Sequence, residues 1–185
     1  MASPAIHLAI AKQYIEKHSN LNYKEFIKGT LYPDAEANSI ELHYPKSPII
    51  AEFAIGVYDK VKLYAFLLDH SKLDDFELGY FLHLVTDYLF FHECFDYDYL
   101  INTNREEFCK DLYHSYDCLD SYLFAKYSIT KEDYKAYPSE YYPGIPYEEC
   151  LLSKELVNNF IKRVVSIDLE KYINKIREYK GNVKP

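Results

Sequence analysis

Residues 79–91 read Gly-Tyr-Phe-Leu-His-Leu-Val-Thr-Asp-Tyr-Leu-Phe-Phe. The run is apolar around the whole circumference of a helix, so such a helix is buried on most sides. Ahead of it, Asp74-x-x-Glu77 is a capping-box pattern with a carboxylate as the cap. The expected helix covers about residues 75–95. Apart from tyrosine hydroxyls, only His83, Thr86 and Asp87 are polar between 79 and 91. His83 and Asp87 lie one turn apart on one face. Gly79 is one turn earlier on that face, where it lets another backbone approach. A buried carboxylate is costly unless it is paired or bound to a metal. Two arrangements satisfy it. One is a His–Asp hydrogen bond that locks two helices together. The other is a metal site of imidazole nitrogen and carboxylate oxygen, donors that suit Zn²⁺ and similar divalent ions.

Outward from this segment, the chain reads as helices. Ser3-Pro4 is a cap followed by a proline at the first helical position. Ile6, Ala9, Ile10, Tyr14 and Ile15 then repeat at helical spacing up to about Lys17. Asn22 caps a second, short helix through Phe26 and Ile27, with Gly29 as its stop. Residues 30–47 are expected to be irregular, with Pro33 and Pro45 as breakers. Ser47-Pro48 repeats the start signal before an apolar run from Ile49 to Val57, and a further helical run spans Asp59 to Asp69. Thr103-x-x-Glu106 predicts a second capping box, followed by a long helix to about Lys126 with Phe108, Leu112, Tyr116, Leu119 and Leu123 on one face. Residues 127–152, rich in Tyr and Pro, read as a long loop with one turn after Thr130. Ser153 and Ser166 each stand where a C-terminal helix begins, with a break near Val165, and Gly181 ends the last helix. Valine- or isoleucine-rich alternating runs are missing from the sequence. The expectation is an all-α protein: a single-domain helical bundle over residues 1–180 around the buried 75–95 helix, with 181–185 as a tail.

Composition narrows the class. The chain has 185 residues, 49% hydrophobic and 17% aromatic, enough for one domain with a substantial core and too apolar for a disordered chain. Lys+Arg number 21 against Asp+Glu 29, a net charge of −8 that disfavours unassisted nucleic-acid binding without excluding it. No run of about 20 apolar residues suggests a membrane span. The first residues carry no basic region followed by an apolar stretch, which predicts a cytoplasmic protein. Cys94, Cys109, Cys118 and Cys150 have no C-x-x-C spacing and read as reduced, mostly packed thiols rather than a zinc finger.

The remaining histidines add to the signal. His7 lies in the first turn of the first helix, on its Ile6–Ile10 side. His18 and His70 stand at helix ends, where a cation is favoured, and read as structural. Asp34 follows Pro33 in Gly29-Thr30-Leu31-Tyr32-Pro33-Asp34; alone it reads as a turn residue. His43 follows nine residues later. An early His in "SPAIHLAIA", Asp34 in "GTLYPDA", His43 in "ELHYP" and the pair in "GYFLHLVTDYLF" together resemble the zinc-dependent phospholipase C family, whose all-helical scaffold is shared with fungal single-strand nucleases. The matches span residues 1–95. The resemblance implies that Asp34, His43, His83 and Asp87 are the four ligands of one metal. It implies that His7 and Asp87 belong to a neighbouring site, with Asp87 bridging. In the family a mature N-terminal Trp completes that neighbouring site, whereas this sequence has Met1, Ala2, Ser3 and Pro4 there and no Trp. The family's third metal uses a later His and a His-x-x-x-Glu pair. The nearest candidates are His92 and His114, with Asp117 substituting for Glu because Cys118 stands four residues after His114.

What the resemblance implies chemically is a hydrolase with one to three divalent ions, Zn²⁺ first, acting on a small phosphoester or a phospholipid. Asp34 would bind metal and orient or deprotonate the attacking water. The tyrosines of 127–152 either line a substrate pocket or pack on the core. Two other functions fit the same residues. One is a non-catalytic helical protein with a structural or decayed metal site. The other is a Tyr-rich interaction module with a His–Asp hydrogen-bond network.

Overall fold

The computed structural model describes residues 2–36, 39–43, 60–136 and 144–178. It is all-α, with no strand among the described residues. The helices are α1 (Pro4–Lys17), α2 (Tyr23–Ala35), α3 (Ser39–Leu42), α4 (Lys60–Asp69), α5 (Asp75–Cys94), α6 (Tyr97–Asn102), α7 (Arg105–Lys126), α8 (Lys154–Val165) and α9 (Leu169–Glu178), with a short 3-10 turn at Asp133–Ala136. No described helix is long and apolar enough to cross a membrane.

Helix α5 is the axis. Asp74 accepts from the Glu77 amide at 2.8 Å while Glu77 accepts from the Asp74 amide at 2.9 Å, closing the expected capping box. Every residue from Gly79 to Asp87 is buried, so this stretch has neighbours all round: α1, α2, α4 and α8 pack against it. Its closest partner is α2. A Cβ on Gly79 would lie 2.2 Å from the Phe26 carbonyl oxygen, and one on Gly29 would lie 1.9 Å from that of Phe76. The two helices cross backbone to backbone, which only hydrogen side chains permit at these two points. One hydrophobic cluster, with Phe26, Phe66, Phe81 and Phe90 fully buried, joins residues of α1, α2, α4, α5, α7, α8 and α9.

Several local expectations change in the structure. Gly29 does not stop α2, which runs on through Pro33 to Ala35. Proline lacks the N–H that would bond the Gly29 carbonyl, but Leu31 and Pro33 are buried on the helix, and burial outweighs the lost bond. Residues 30–35 and 39–42 are therefore helical rather than irregular. The cap of α7 is Asn104, whose side chain takes the Glu106 and Glu107 amides, not Thr103, which ends α6. Ser153 caps α8 as expected, but Ser166 closes that helix instead of opening α9; Asp168 accepts from Lys171 at the α9 start. The expected helix start at Ser47-Pro48, the run to Val57, Pro45 and the stop at Gly181 lie outside the described residues.

One buried acid stands apart from any site chemistry. Asp120 on α7 is buried and its Oδ1 has no hydrogen-bond partner among the described residues. Burial, then the charge of Asp117, push it up to about 7 from an ordinary 3.8. Folding therefore retains a proton that the unfolded chain loses near 3.8, and stability falls as pH rises from about 4 to 7. Asp120→Asn removes this dependence. Its stability gain over wild type, read by urea denaturation, should grow by about 2–3 kcal/mol between pH 5 and pH 8. A gain that does not change with pH contradicts the assignment.

Candidate metal centre

Four segments converge on the face of α5 that carries His83 and Asp87. The first turn of α1 contributes His7, held in place by Ser3, whose Oγ caps the helix by accepting from Ile6 N at 3.3 Å. The last turn of α2 contributes Asp34. His43 follows α3, and the Tyr80 hydroxyl anchors this segment by donating to the Leu42 carbonyl. His83 and Asp87 come from α5, one turn apart as the spacing requires.

Two imidazole nitrogens each face an oxygen of both carboxylates. His43 Nε2 lies 3.0 Å from His83 Nε2, 3.3 Å from Asp34 Oδ1 and 3.4 Å from Asp87 Oδ2. His83 Nε2 lies 3.4 Å from Asp87 Oδ2 and 3.9 Å from Asp34 Oδ1. Ligands about 2.0–2.1 Å from a tetrahedral zinc are separated by about 3.3–3.4 Å, the middle of this range. The His83 tautomer suits a ligand: its Nδ1–H donates to the Thr30 carbonyl at 2.8 Å, which leaves the Nε2 lone pair facing the centre.

Asp87 reaches two ways. Its Oδ2 faces His43 and His83, while its Oδ1 lies 3.3 Å from His7 Nε2 and accepts the Ala2 amide at 2.8 Å. The His7 ring stacks on His83 with centroids 3.8 Å apart. His7, His83 and Asp87 thus form a second candidate ligand group beside Asp34, His43 and His83, with His83 common to both.

The site is dry and its polar atoms are short of partners. His83 is 0% exposed, His7 1% and Asp87 4%. Both ring nitrogens of His7, Oδ1 of Asp34 and Oδ2 of Asp87 are buried without a hydrogen bond among the described residues. Buried polar atoms left this way each cost about 1–3 kcal/mol, and a bound cation is the usual remedy for so many lone pairs at one point. The charges agree. Burial raises the Asp87 carboxyl, but His83, His43 and His7 together outweigh it and hold Asp87 well below the usual carboxylate range. Asp34 is lowered in the same way, burial opposing and His83, His43 and His7 prevailing. Burial and the neighbouring His83 lower His7, which favours the neutral, ligating imidazole.

The remaining sequence candidates lie apart. Helix α5 does not break before Cys94, so His92 stays on the far side from His83. Its ring is exposed and its Nδ1 bonds the Tyr88 carbonyl at 2.7 Å. His114 pairs with Glu148 at 2.8 Å rather than with Asp117, whose carbonyl accepts from Ile145 N at 3.0 Å. His18 and His70 bond the carbonyls of Tyr14 and Phe66 in their own helices, at 2.8 and 2.9 Å. In the long loop, Tyr134 packs edge-on against Phe124 and Tyr147 lies under Lys154, so these rings serve packing. Tyr137, Tyr141 and Tyr142 are outside the described residues.

Comparison with family models, with curated proteins and with solved structures returns no match to this chain. The site therefore has to be judged on its own geometry. Sequence reasoning missed three groups there. The Ala2 amide and the Thr30 carbonyl act through the backbone and carry no side-chain signal. Lys62, in the α4 segment Lys-Val-Lys-Leu-Tyr-Ala-Phe-Leu-Leu-Asp, reads as an ordinary helix lysine. It is buried; burial lowers it to about 8, while the charge of Asp87 acts the other way. Residues of these types, in this arrangement, can hold a divalent cation.

Proposed function

We propose that the protein is a metal-dependent hydrolase of phosphoric esters, similar in its site to zinc-dependent phospholipases C. The observation that carries this reading is that His43 and His83 each meet an oxygen of Asp34 and of Asp87 at 3.3–3.9 Å, close to the donor spacing about a tetrahedral zinc. The residues fit a divalent cation of the zinc type: two imidazoles and two carboxylates, borderline and hard donors together. A cation held there supplies the Lewis acidity that activates water and draws charge from a phosphoryl group.

The chain's own groups do the rest. His83 is oriented by Thr30 and keeps one tautomer through the reaction. Asp87 holds two imidazole groups in register through its two oxygens. Asp34 offers Oδ1 to the centre, and its second oxygen would orient the attacking water. Lys62 brings positive charge toward Asp87 and suits an anionic substrate despite the net charge of −8.

A second reading is favoured by the burial. A closed set of four protein donors, each in a nearly inaccessible side chain, also describes a structural metal site. Hydrolysis separates the two. Metal-loaded protein is offered a phosphodiester, a phosphomonoester and phosphatidylcholine vesicles, beside Asp34→Asn with its metal content measured. The hydrolase reading expects turnover of at least one substrate and a loss of about 10²–10⁴-fold in the variant. Wild-type protein that holds a full equivalent of metal and hydrolyses none of them leaves the structural reading.

A further inference from the structure

A separate cluster of metal-ligating side chains lies where the segment 144–152 crosses α7. His114 Nε2 is 2.8 Å from Glu148 Oε1 and 3.6 Å from Cys118 Sγ. These three ligand atoms lie within 4.8 Å of one another. Cys150 lies outside that group of three, near enough for its thiol to act on that of Cys118, and donates to the Leu152 carbonyl at 3.3 Å. No residue is shared with the His83–Asp87 centre.

The backbone arranges this cluster. His114 and Cys118 stand four apart on α7 and share a face. Three hydrogen bonds lay the crossing segment along the helix: Ile145 N to the Asp117 carbonyl at 3.0 Å, Ser121 Oγ to the Ile145 carbonyl at 3.2 Å, and Leu152 N to Ser115 Oγ at 3.3 Å. Gly144, at φ +76°, starts the crossing against the Asp117 carbonyl, where a Cβ would lie 2.4 Å away. Glu148 and Cys150 stand two residues apart on this segment, and Glu148 reaches His114 from it.

We propose that His114, Cys118, Glu148 and Cys150 form a second metal site, for Zn²⁺ or another thiophilic divalent cation, that fastens segment 144–152 to α7. Two thiolates, one imidazole and one carboxylate are a donor set for a closed structural zinc. A zinc with sulfur at about 2.3 Å and nitrogen at about 2.0–2.1 Å separates those two atoms by about 3.5 Å, close to the Cys118–His114 distance. The His114–Glu148 contact has to open slightly from hydrogen-bond length. Both side chains are substantially exposed, 45% and 62%, and free to do so. Binding releases the two thiol protons to solvent, which makes the affinity rise with pH.

Cobalt(II) tests this, because only thiolate ligands give an intense sulfur-to-cobalt charge-transfer band and the His83–Asp87 centre contains no cysteine. Fully reduced protein is titrated with Co²⁺ as wild type, Asp87→Asn, Cys118→Ser, Cys150→Ser and His114→Ala. The expected result is one thiolate-bearing equivalent in wild type, kept in Asp87→Asn. It should be lost in both cysteine variants and weakened at least about tenfold in His114→Ala. Cys118 is fully buried, so its variant is checked for helical content; Cys150 and His114 are partly exposed and carry the test if that fold fails. A wild type without the band, or a band that Cys150→Ser keeps at wild-type affinity, overturns the proposal.

Discussion

In a Cys118→Ser background, which removes the thiolate cluster on α7, Asp87→Ala is expected to come through purification free of bound metal and to melt at one temperature with and without added zinc. Asp87 bridges the site: one oxygen serves His43 and His83, the other His7 and the Ala2 amide. Its removal leaves Asp34 as the one carboxylate of the set, so a divalent cation loses an anionic ligand and half of the negative charge that offsets its own. In wild type, zinc at a thousand times its dissociation constant adds about 4 kcal/mol to stability. For a chain of this length that raises Tm by about 8–16 °C. Asp87→Asn serves as the shape-conserving partner, because alanine also removes the acceptor of the Ala2 amide. Elemental analysis and thermal scans with zinc, manganese and iron check the expectation. A wild type that binds none of the three, or a variant that keeps the zinc-dependent shift, would sink the metal centre. His83 and Asp87 would then be a hydrogen-bonded core pair. The Cys118→Ser background is used because the thiolate cluster on α7 would otherwise add a zinc-dependent shift of its own.

Gly79→Ala should destabilise the protein by about 3 kcal/mol, a fall in Tm of about 6–12 °C. Judged as an isolated helix, the change is favourable by about 1 kcal/mol, because alanine is the better helix former. The tertiary contact has the opposite sign. The new Cβ would sit 2.2 Å from the Phe26 carbonyl oxygen and 3.1 Å from the Thr30 amide nitrogen, both backbone atoms that no rotamer change can move aside. Helix α2 has to withdraw from α5. That withdrawal carries Asp34 and the Thr30 carbonyl away from His83, so zinc affinity should fall along with stability. Scans in chelator isolate the packing term, and the zinc increment then reports the site. A variant as stable as wild type in chelator would show that the two backbones do not meet at this point.

How far these features are legible in the sequence differs from one to the next. The burial of α5 follows from an apolar circumference, and the pairing of His83 with Asp87 follows from helical geometry alone. The Asp74–Glu77 box and the Ser3, Asn22 and Ser153 caps are equally local, since each satisfies amides within three residues of itself. The local rules fail where a distant surface competes. Gly29 and Pro33 carry stop signals, yet α2 runs through both, because the pressure of α5 on Gly29 and the burial of Leu31 outweigh propensity. At Thr103 two capping patterns overlap by one residue, and Asn104, with the better side-chain reach, takes the amides.

The same division runs through the site. Residue order and spacing nominate His7, Asp34, His43, His83 and Asp87, since donor types and helical periodicity are properties of the chain. His92, His114 and Asp117 were nominated by order as well. Whether a helix stays straight, or a loop offers a nearer acid, depends on packing that spacing does not encode. His92 remains on the far side of an unbroken α5, and His114 finds Glu148, 34 residues away. Local sequence was enough for most of the helices, though not for residues 30–35 and 39–42, and for which polar groups a buried helix would strand among apolar neighbours. Only the tertiary structure decided which stranded groups meet. Convergence of α1, α2, α3 and α5 within 4 Å is a sum of long-range contacts, none of which any local pattern specifies.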